Sequence, residues 1–141
     1  MIVPVQAGGV RWLMIIWAGI SFIWLGQEDN HVLPVALLGV GTAGLLMMLW
    51  TINRYAGATI SRGVLPFVLA GAGAVVGLGG VAFTVSLMIF KNVRHAHLVP
   101  DYPNPLLGAM INLAPAWMVA GASIGLGLGL IILAIRKDQP R

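Results

Sequence analysis

The amino-acid sequence predicts an all-α integral membrane protein, built as a bundle of four transmembrane helices. Apolar residues make up 59% of the chain and charged residues only 9%, whereas an ordinary soluble domain carries roughly 25% charged residues. A 141-residue chain of this composition would expose broad apolar patches to water. Four apolar stretches bounded by polar and basic residues are the second observation. We therefore expect a single transmembrane domain over residues 1–141.

The first two apolar stretches predict spans over about residues 10–26 and 32–52. A polar turn, Gln27 to Asn30, separates them. The second stretch is about 32 Å long at 1.5 Å per residue, which is enough to cross the hydrocarbon core. The residues at the end of the first stretch, Ile23-Trp24-Leu25, do not fit the small-residue pattern of a signal-peptide cleavage site. We therefore expect the first helix to be retained.

The third stretch predicts a span over about residues 64–90, and at about 40 Å it must tilt, bend or protrude. The uncharged stretch that follows, residues 106–135, is too long for one span. Pro115 divides it into a fourth span over residues 115–135 and a segment over residues 106–113. Asn104 followed by Pro105 has the chemistry of a helix start, with Asn as the cap. Residues 106–113 are then either a short interfacial helix or the first turns of a kinked fourth helix.

The basic residues predict the orientation of the bundle. An even number of spans places both termini on one side of the membrane, together with most of the Lys and Arg residues, which are Arg11, Arg54, Arg62, Arg136, Lys137 and Arg141. Only Lys91 and Arg94 fall on the other side. Because cytoplasmic loops carry an excess of basic residues, we expect both termini to be cytoplasmic. Aromatic residues near the predicted span ends agree with this arrangement, namely Trp12, Trp24, Trp50, Tyr55, Phe90 and Trp117.

Glycines at a spacing of four are the best-defined motif. Spacing of four places residues above one another on a helix, and helices without side chains there can approach closely in lipid. The fourth span carries one such set, Gly121, Gly125 and Gly129. The third span carries Gly73 and Gly77 at the same spacing, with Gly80 on the same face. These faces serve either packing within the chain or contact with another subunit.

The segment from Lys91 to Pro105 contains the main polar cluster, and the simplest interpretation is a solvated loop at the membrane interface. His95, His97 and Asp101 are weak candidates for a zinc or copper site, because a fourth ligand is missing from the pattern. The prolines stiffen the segment, which lowers the entropy cost of docking a partner. We therefore expect Arg94 and Tyr102 to contact lipid or a partner protein.

Arg11 is the one charge that could lie within the membrane, about 10 Å in if the first helix starts at Pro4. Its expected behaviour is to extend to the headgroups on the terminal side. The alternative is a contact with an anionic lipid or with the carboxylate of a partner protein.

Several classes of function are disfavoured by what the chain lacks. It contains no cysteine, which excludes disulfides, thiolate catalysis and Cys-based metal centres. The middle of each predicted span lacks Asp, Glu, Lys and His, which proton-coupled transporters need at depth. No set of residues forms a catalytic motif, so we do not expect an enzyme. The basic residues follow membrane topology, so we expect no nucleic-acid partner.

The sequence therefore favours a non-catalytic accessory subunit of a multi-subunit membrane complex, with the lipid bilayer and other membrane subunits as partners. The alternative is a small homo-oligomeric channel or transporter. That alternative rests on the glycine-rich third and fourth spans and on a weak similarity between the segments that begin at Val32-Leu33-Pro34 and Val64-Leu65-Pro66. No cofactor is indicated, and a lipid, quinone or pigment held by apolar contacts would leave no sequence signature.

Overall fold

The computed structural model describes residues 2–3, 8–27, 30–95 and 100–137, with residues 136–137 described as backbone only. Within these residues the chain forms five α-helices and no β-strand: α1 (Gly8–Leu25), α2 (Val32–Tyr55), α3 (Leu65–His95), α4 (Asn104–Asn112) and α5 (Ala114–Lys137). Four of them, α1, α2, α3 and α5, are long and apolar enough to cross a membrane. The prediction of an all-α chain with four apolar helices of membrane-spanning length is confirmed, and this is the pattern of a multi-pass membrane protein.

Helix α3 lies at the centre of the bundle. It packs most extensively against α5 and then against α2, whereas α1 contacts α2 over a smaller area. Only 11% of the residues in the most apolar 18-residue stretch of α1 are buried, compared with 28% in the corresponding stretches of α2 and α3. Helix α1 therefore presents most of its apolar surface, including Trp12 and Phe22, outside the bundle.

The buried core is concentrated where α1 ends, α2 begins and α3 ends, which we call the Tyr102 end of the bundle. Its members come from all the helices except α5 and from the segment before α4: Trp24, Val35, Leu38, Val81, Val85, Met88, Tyr102 and Met110.

The opposite end, where α1 begins and α3 begins, we call the terminal end. There the backbone N–H of Val3 donates to the carbonyl of Ala58 at 3.0 Å, and that of Gly57 donates to the carbonyl of Val3 at 3.1 Å. Gly57 has φ of 75°, a left-handed conformation that glycine adopts without strain.

Helix α3 continues five residues beyond the expected end at Phe90, and its last residue is His95. The expectation of a loop starting at Lys91 is therefore wrong. These last residues pack on one side of α3: Lys91 is buried, and Asn92 and His95 contact the segment before α4.

The segment before α5 forms a separate short helix, α4, followed by the single residue Leu113. Pro115 explains the break, because proline has no backbone N–H to donate to the carbonyl of Ile111, four residues earlier. The expected cap role of Asn104 is wrong: Asn104 is already helical, and Pro103, in an extended conformation, occupies the cap position without a side-chain hydrogen bond. Proline suits the position before a helix because its φ is fixed and it needs no N–H partner.

Candidate functional site

The glycines of α3 and α5 bring the two backbones into direct contact. A Cβ atom at Gly73 would overlap the carbonyl oxygen of Gly121, and one at Gly77 would overlap that of Trp117. The reverse holds for α5: added Cβ atoms at Gly121 and Gly125 would meet carbonyl oxygens of α3, and one at Gly129 would meet Pro66. The face of α5 that carries Gly121, Gly125 and Gly129 is thus occupied within the chain, against α3.

Gly80 lies against a different neighbour, α2. A Cβ atom there would overlap the side chain of Val40, and one at Gly39 would overlap Thr84 and the carbonyl of Gly80. The Thr84 hydroxyl donates to the Gly80 carbonyl at 2.7 Å, which satisfies that donor within its own helix. Helix α3 therefore uses one small-residue face for α5 and another for α2.

Lys91 is the only charged side chain that is buried among the described residues, and its exposure is 0%. Its ammonium nitrogen lies 4.4 Å from the centroid of the Trp24 ring and 5.9 Å from that of the Tyr102 ring. Aromatic ring faces attract cations, and the attraction grows when water is excluded. The indole N–H of Trp24 is buried and has no hydrogen-bond partner. Trp24 therefore contributes the face of its ring, and the two rings form part of the surroundings of the Lys91 cation.

Tyr102 joins three parts of the chain at this end. Its side chain is fully buried, and its hydroxyl donates to the carbonyl of His31 at 3.3 Å, just before α2. The Asn92 side chain donates to the Tyr102 carbonyl at 2.7 Å and accepts the Tyr102 backbone N–H at 2.9 Å. A single amide thereby satisfies both backbone groups of Tyr102. The segment before α4 is anchored to the end of α3 by this paired contact.

The weak metal candidates are only partly brought together. His95 Nδ1 lies 2.7 Å from a carboxylate oxygen of Asp101, and both side chains are largely shielded from solvent. His97 lies outside the described residues. Across the described parts of the chain, no group of three or more His, Cys, Asp or Glu side chains could hold a metal ion. The His95–Asp101 contact joins the last residue of α3 to the segment before α4, next to the Asn92–Tyr102 contact.

The two arginine candidates lie at opposite ends of the bundle and are both exposed. Arg11 is in the first turn of α1, about 4.5 Å from its described start at Gly8. Arg94 lies in the last turn of α3, and its guanidinium carbon is 5.8 Å from the centroid of the Phe22 ring of α1. It pairs with no carboxylate among the described residues.

Phe22 also lines an apolar cleft between α1 and α2, with a volume of about 330 Å³. We call it the α1–α2 cleft. Trp17 lies across it: its indole N–H donates to the Thr42 hydroxyl at 3.1 Å, and its ring rests on Gly41, where a Cβ atom would overlap it. The large Trp17 ring therefore separates the two helices, and the space beside it is the cleft.

Sequence reasoning missed the roles of Lys91, Trp24 and Asn92. The sequence pattern predicts a loop position for Lys91 and an interfacial position for Trp24. The available signal was helical spacing, because Thr84, Met88 and Lys91 are separated by four and three residues and lie on the same face of α3. All three are buried.

Comparisons with known proteins add no family. No protein-family model, no curated protein and no solved structure matches this chain.

Proposed function

We propose that the chain is a non-catalytic accessory subunit of a larger membrane complex, with both termini in the cytoplasm. The observation that carries this proposal is the hydrogen bonding of the hydroxyl groups in the four long helices. Each of them donates to a carbonyl four residues earlier in its own helix; the donors are Ser21, Thr42, Thr51, Thr84, Ser86 and Ser123. Hydroxyls that are used in this way have no donor left for a hydrated solute, and this favours a structural role over conduction.

The packing of α3 supports the same role. Its backbone meets that of α5 at Gly73 and Gly77 and approaches that of α2 near Gly80. Contacts this close exclude water between the helices. These contacts leave no water-filled path between α3 and α5 at Gly73 and Gly77, or between α3 and α2 at Gly80.

The outward face of α5 supplies a surface for a partner. Four small residues recur along this face. Ala116, Ala120 and Ser123 are exposed, and no atom lies within 4 Å of the position that a Cβ atom would take at Gly127. Lipid tails are as apolar as leucine, so helices in a bilayer associate through close packing of such small residues. The small-residue face that α5 uses for α3 is a different one, so this second face supports the proposal of an additional helix from a partner.

The experiment compares complexes that contain the wild-type chain or Gly127→Leu, extracted gently from the source membrane. We expect the wild-type chain to elute with other polypeptides, and Gly127→Leu to insert normally but to lose them. Gly44→Leu is the matched control, because Gly44 also faces open space but lies on α2, outside the small-residue face. Retained partners in Gly127→Leu would contradict the proposed interface. A native mass that is a multiple of 14.9 kDa would replace the proposal with a homo-oligomer, and flux measurements in liposomes would then test for a channel.

A further inference from the structure

The α1–α2 cleft has the shape of a site for a single lipid chain. Its α1 wall runs from Met14 to Leu25, about 16 Å along the helix axis, and the facing wall is formed by Thr42, Leu45 and Leu46 of α2 together with Leu87 of α3. The hydrocarbon core is about 30 Å thick, so the cleft is about as long as one leaflet is deep. It begins at the Tyr102 end, where Leu25 is the last residue of α1, and it ends near the middle of the predicted span.

The lining of the cleft is almost entirely apolar. Its few polar side chains are already engaged: Ser21 donates to the Trp17 carbonyl, Trp17 donates to Thr42, and Thr42 donates to the Leu38 carbonyl. An occupant of this part of the cleft is therefore held by apolar contact, as in most ligand pockets. The cleft volume of about 330 Å³ falls at the lower end of the range for small-molecule sites.

The guanidinium group of Arg94 lies at the Tyr102 end of this apolar cleft. Arg94 lies over the ring of Phe22, which itself lines the cleft, and Arg94 has no carboxylate partner among the described residues. Arginine presents a planar fork of donors that matches the oxygens of a phosphate. Since Arg94 is in the last turn of a helix of membrane-spanning length, we expect its guanidinium to reach the lipid headgroups.

We propose that the α1–α2 cleft binds one acyl chain of an anionic phospholipid whose phosphate is held by Arg94. The proposal goes beyond the role of the chain in a complex, because it concerns a lipid site on the isolated chain. The occupant must be apolar along about one leaflet and anionic at the Arg94 end. An anionic phospholipid combines both properties, and a neutral one lacks the net charge.

The experiment measures lipid retention by the full chain, purified in detergent, stripped of lipid and then mixed with defined lipids. Native mass spectrometry counts the phosphatidylglycerol or phosphatidylcholine molecules bound at increasing lipid concentration. We expect one phosphatidylglycerol molecule to bind more tightly than phosphatidylcholine. Arg94→Gln should weaken that binding by about fivefold, the factor expected for one interfacial cation. Arg62→Gln is the control, because Arg62 is exposed in a connector at the other end of the bundle.

A second pair of variants tests the cleft separately from the charge. Ala18 lines the cleft, so Ala18→Phe should fill it and weaken the retention of phosphatidylglycerol even though Arg94 is present. Ala82→Phe is its control, since Ala82 is exposed on α3 and does not line the cleft. Unaltered elution and circular dichroism would show that the variants fold. Equal binding of the two lipids by wild type, or wild-type binding by Arg94→Gln or Ala18→Phe, would overturn the proposal.

Discussion

Replacing Gly121 with alanine adds one methyl group at one of the close backbone contacts between α3 and α5. The new Cβ atom would overlap the carbonyl oxygen of Gly73, and the nearest atoms are backbone, which cannot rotate away. Ordinary contact between carbon atoms requires about 3.5–4.0 Å, so the two helices must separate by roughly an ångström or more. Overpacking of this kind costs about 1–3 kcal/mol. Separation would also weaken the neighbouring contact of Gly125 with Leu69.

The matched control is the same substitution at Gly127, six residues further along α5. No atom lies within 4 Å of the position where a Cβ atom would be added there. Alanine has a higher helix propensity than glycine by about 1 kcal/mol in peptides, so Gly127→Ala should be neutral or slightly stabilising. The two variants share helix, chemistry and change in hydrophobicity. Their difference in stability therefore measures the helix–helix contact alone.

The assay is reversible unfolding in mixed micelles, in which increasing amounts of a denaturing detergent are added and helix content or tryptophan fluorescence is followed. We expect the unfolding midpoint of Gly121→Ala to fall clearly below that of wild type, and that of Gly127→Ala to stay at or above it. Equal midpoints for Gly121→Ala and Gly127→Ala would refute the close approach of α3 and α5. The reasoning from glycine spacing to backbone contact would then fail.

Two further substitutions test the Tyr102 end of the bundle, again by the unfolding midpoint. Trp24→Ala should destabilise the chain by about 3–5 kcal/mol, because it removes a buried ring that faces the Lys91 ammonium group. Its control is Trp12→Ala, which should cost far less stability because the Trp12 ring is 68% exposed. Similar losses of stability in the two variants would argue against a core at this end. Asn92→Ala should cost about 2 kcal/mol by removing both hydrogen bonds to the Tyr102 backbone, and it should speed amide exchange at Tyr102. Unchanged exchange at that amide would contradict the paired contact, and Asn112→Ala, at an exposed position, is the control.

The glycine pattern illustrates how far the sequence could predict packing. Spacing of four identified the small faces of α3 and α5, because helical geometry alone places such residues in a row. The same spacing could not assign the neighbour of each face. Gly73 and Gly77 lie against α5 whereas Gly80 lies against α2, and Gly127, on the same glycine-rich stretch, lies against no described atom. The assignment depends on how α3 is rotated between its neighbours, which no local pattern encodes.

The contacts at the Tyr102 end show what the sequence could not predict. Composition placed Lys91 in a polar loop, because a charge at the end of an apolar stretch usually marks the boundary with water. Its burial depends on Trp24 and Tyr102, which other segments bring to it. Tyr102 itself bonds to the carbonyl of His31, 71 positions away in the sequence. Contacts over such separations leave no periodic signal in the chain.

The sequence by itself determined the number of long apolar helices, the fact that each is long enough to cross a bilayer, and the break near Pro115. These features follow from local causes: a helix satisfies its own backbone groups, apolar length sets what can cross a bilayer, and proline lacks a hydrogen-bond donor. Only the tertiary structure decided the pairing of glycine faces, the burial of Lys91 and the position of Arg94 beside the α1–α2 cleft. Each of these depends on the angle and separation of neighbouring helices, which are set by all their contacts together.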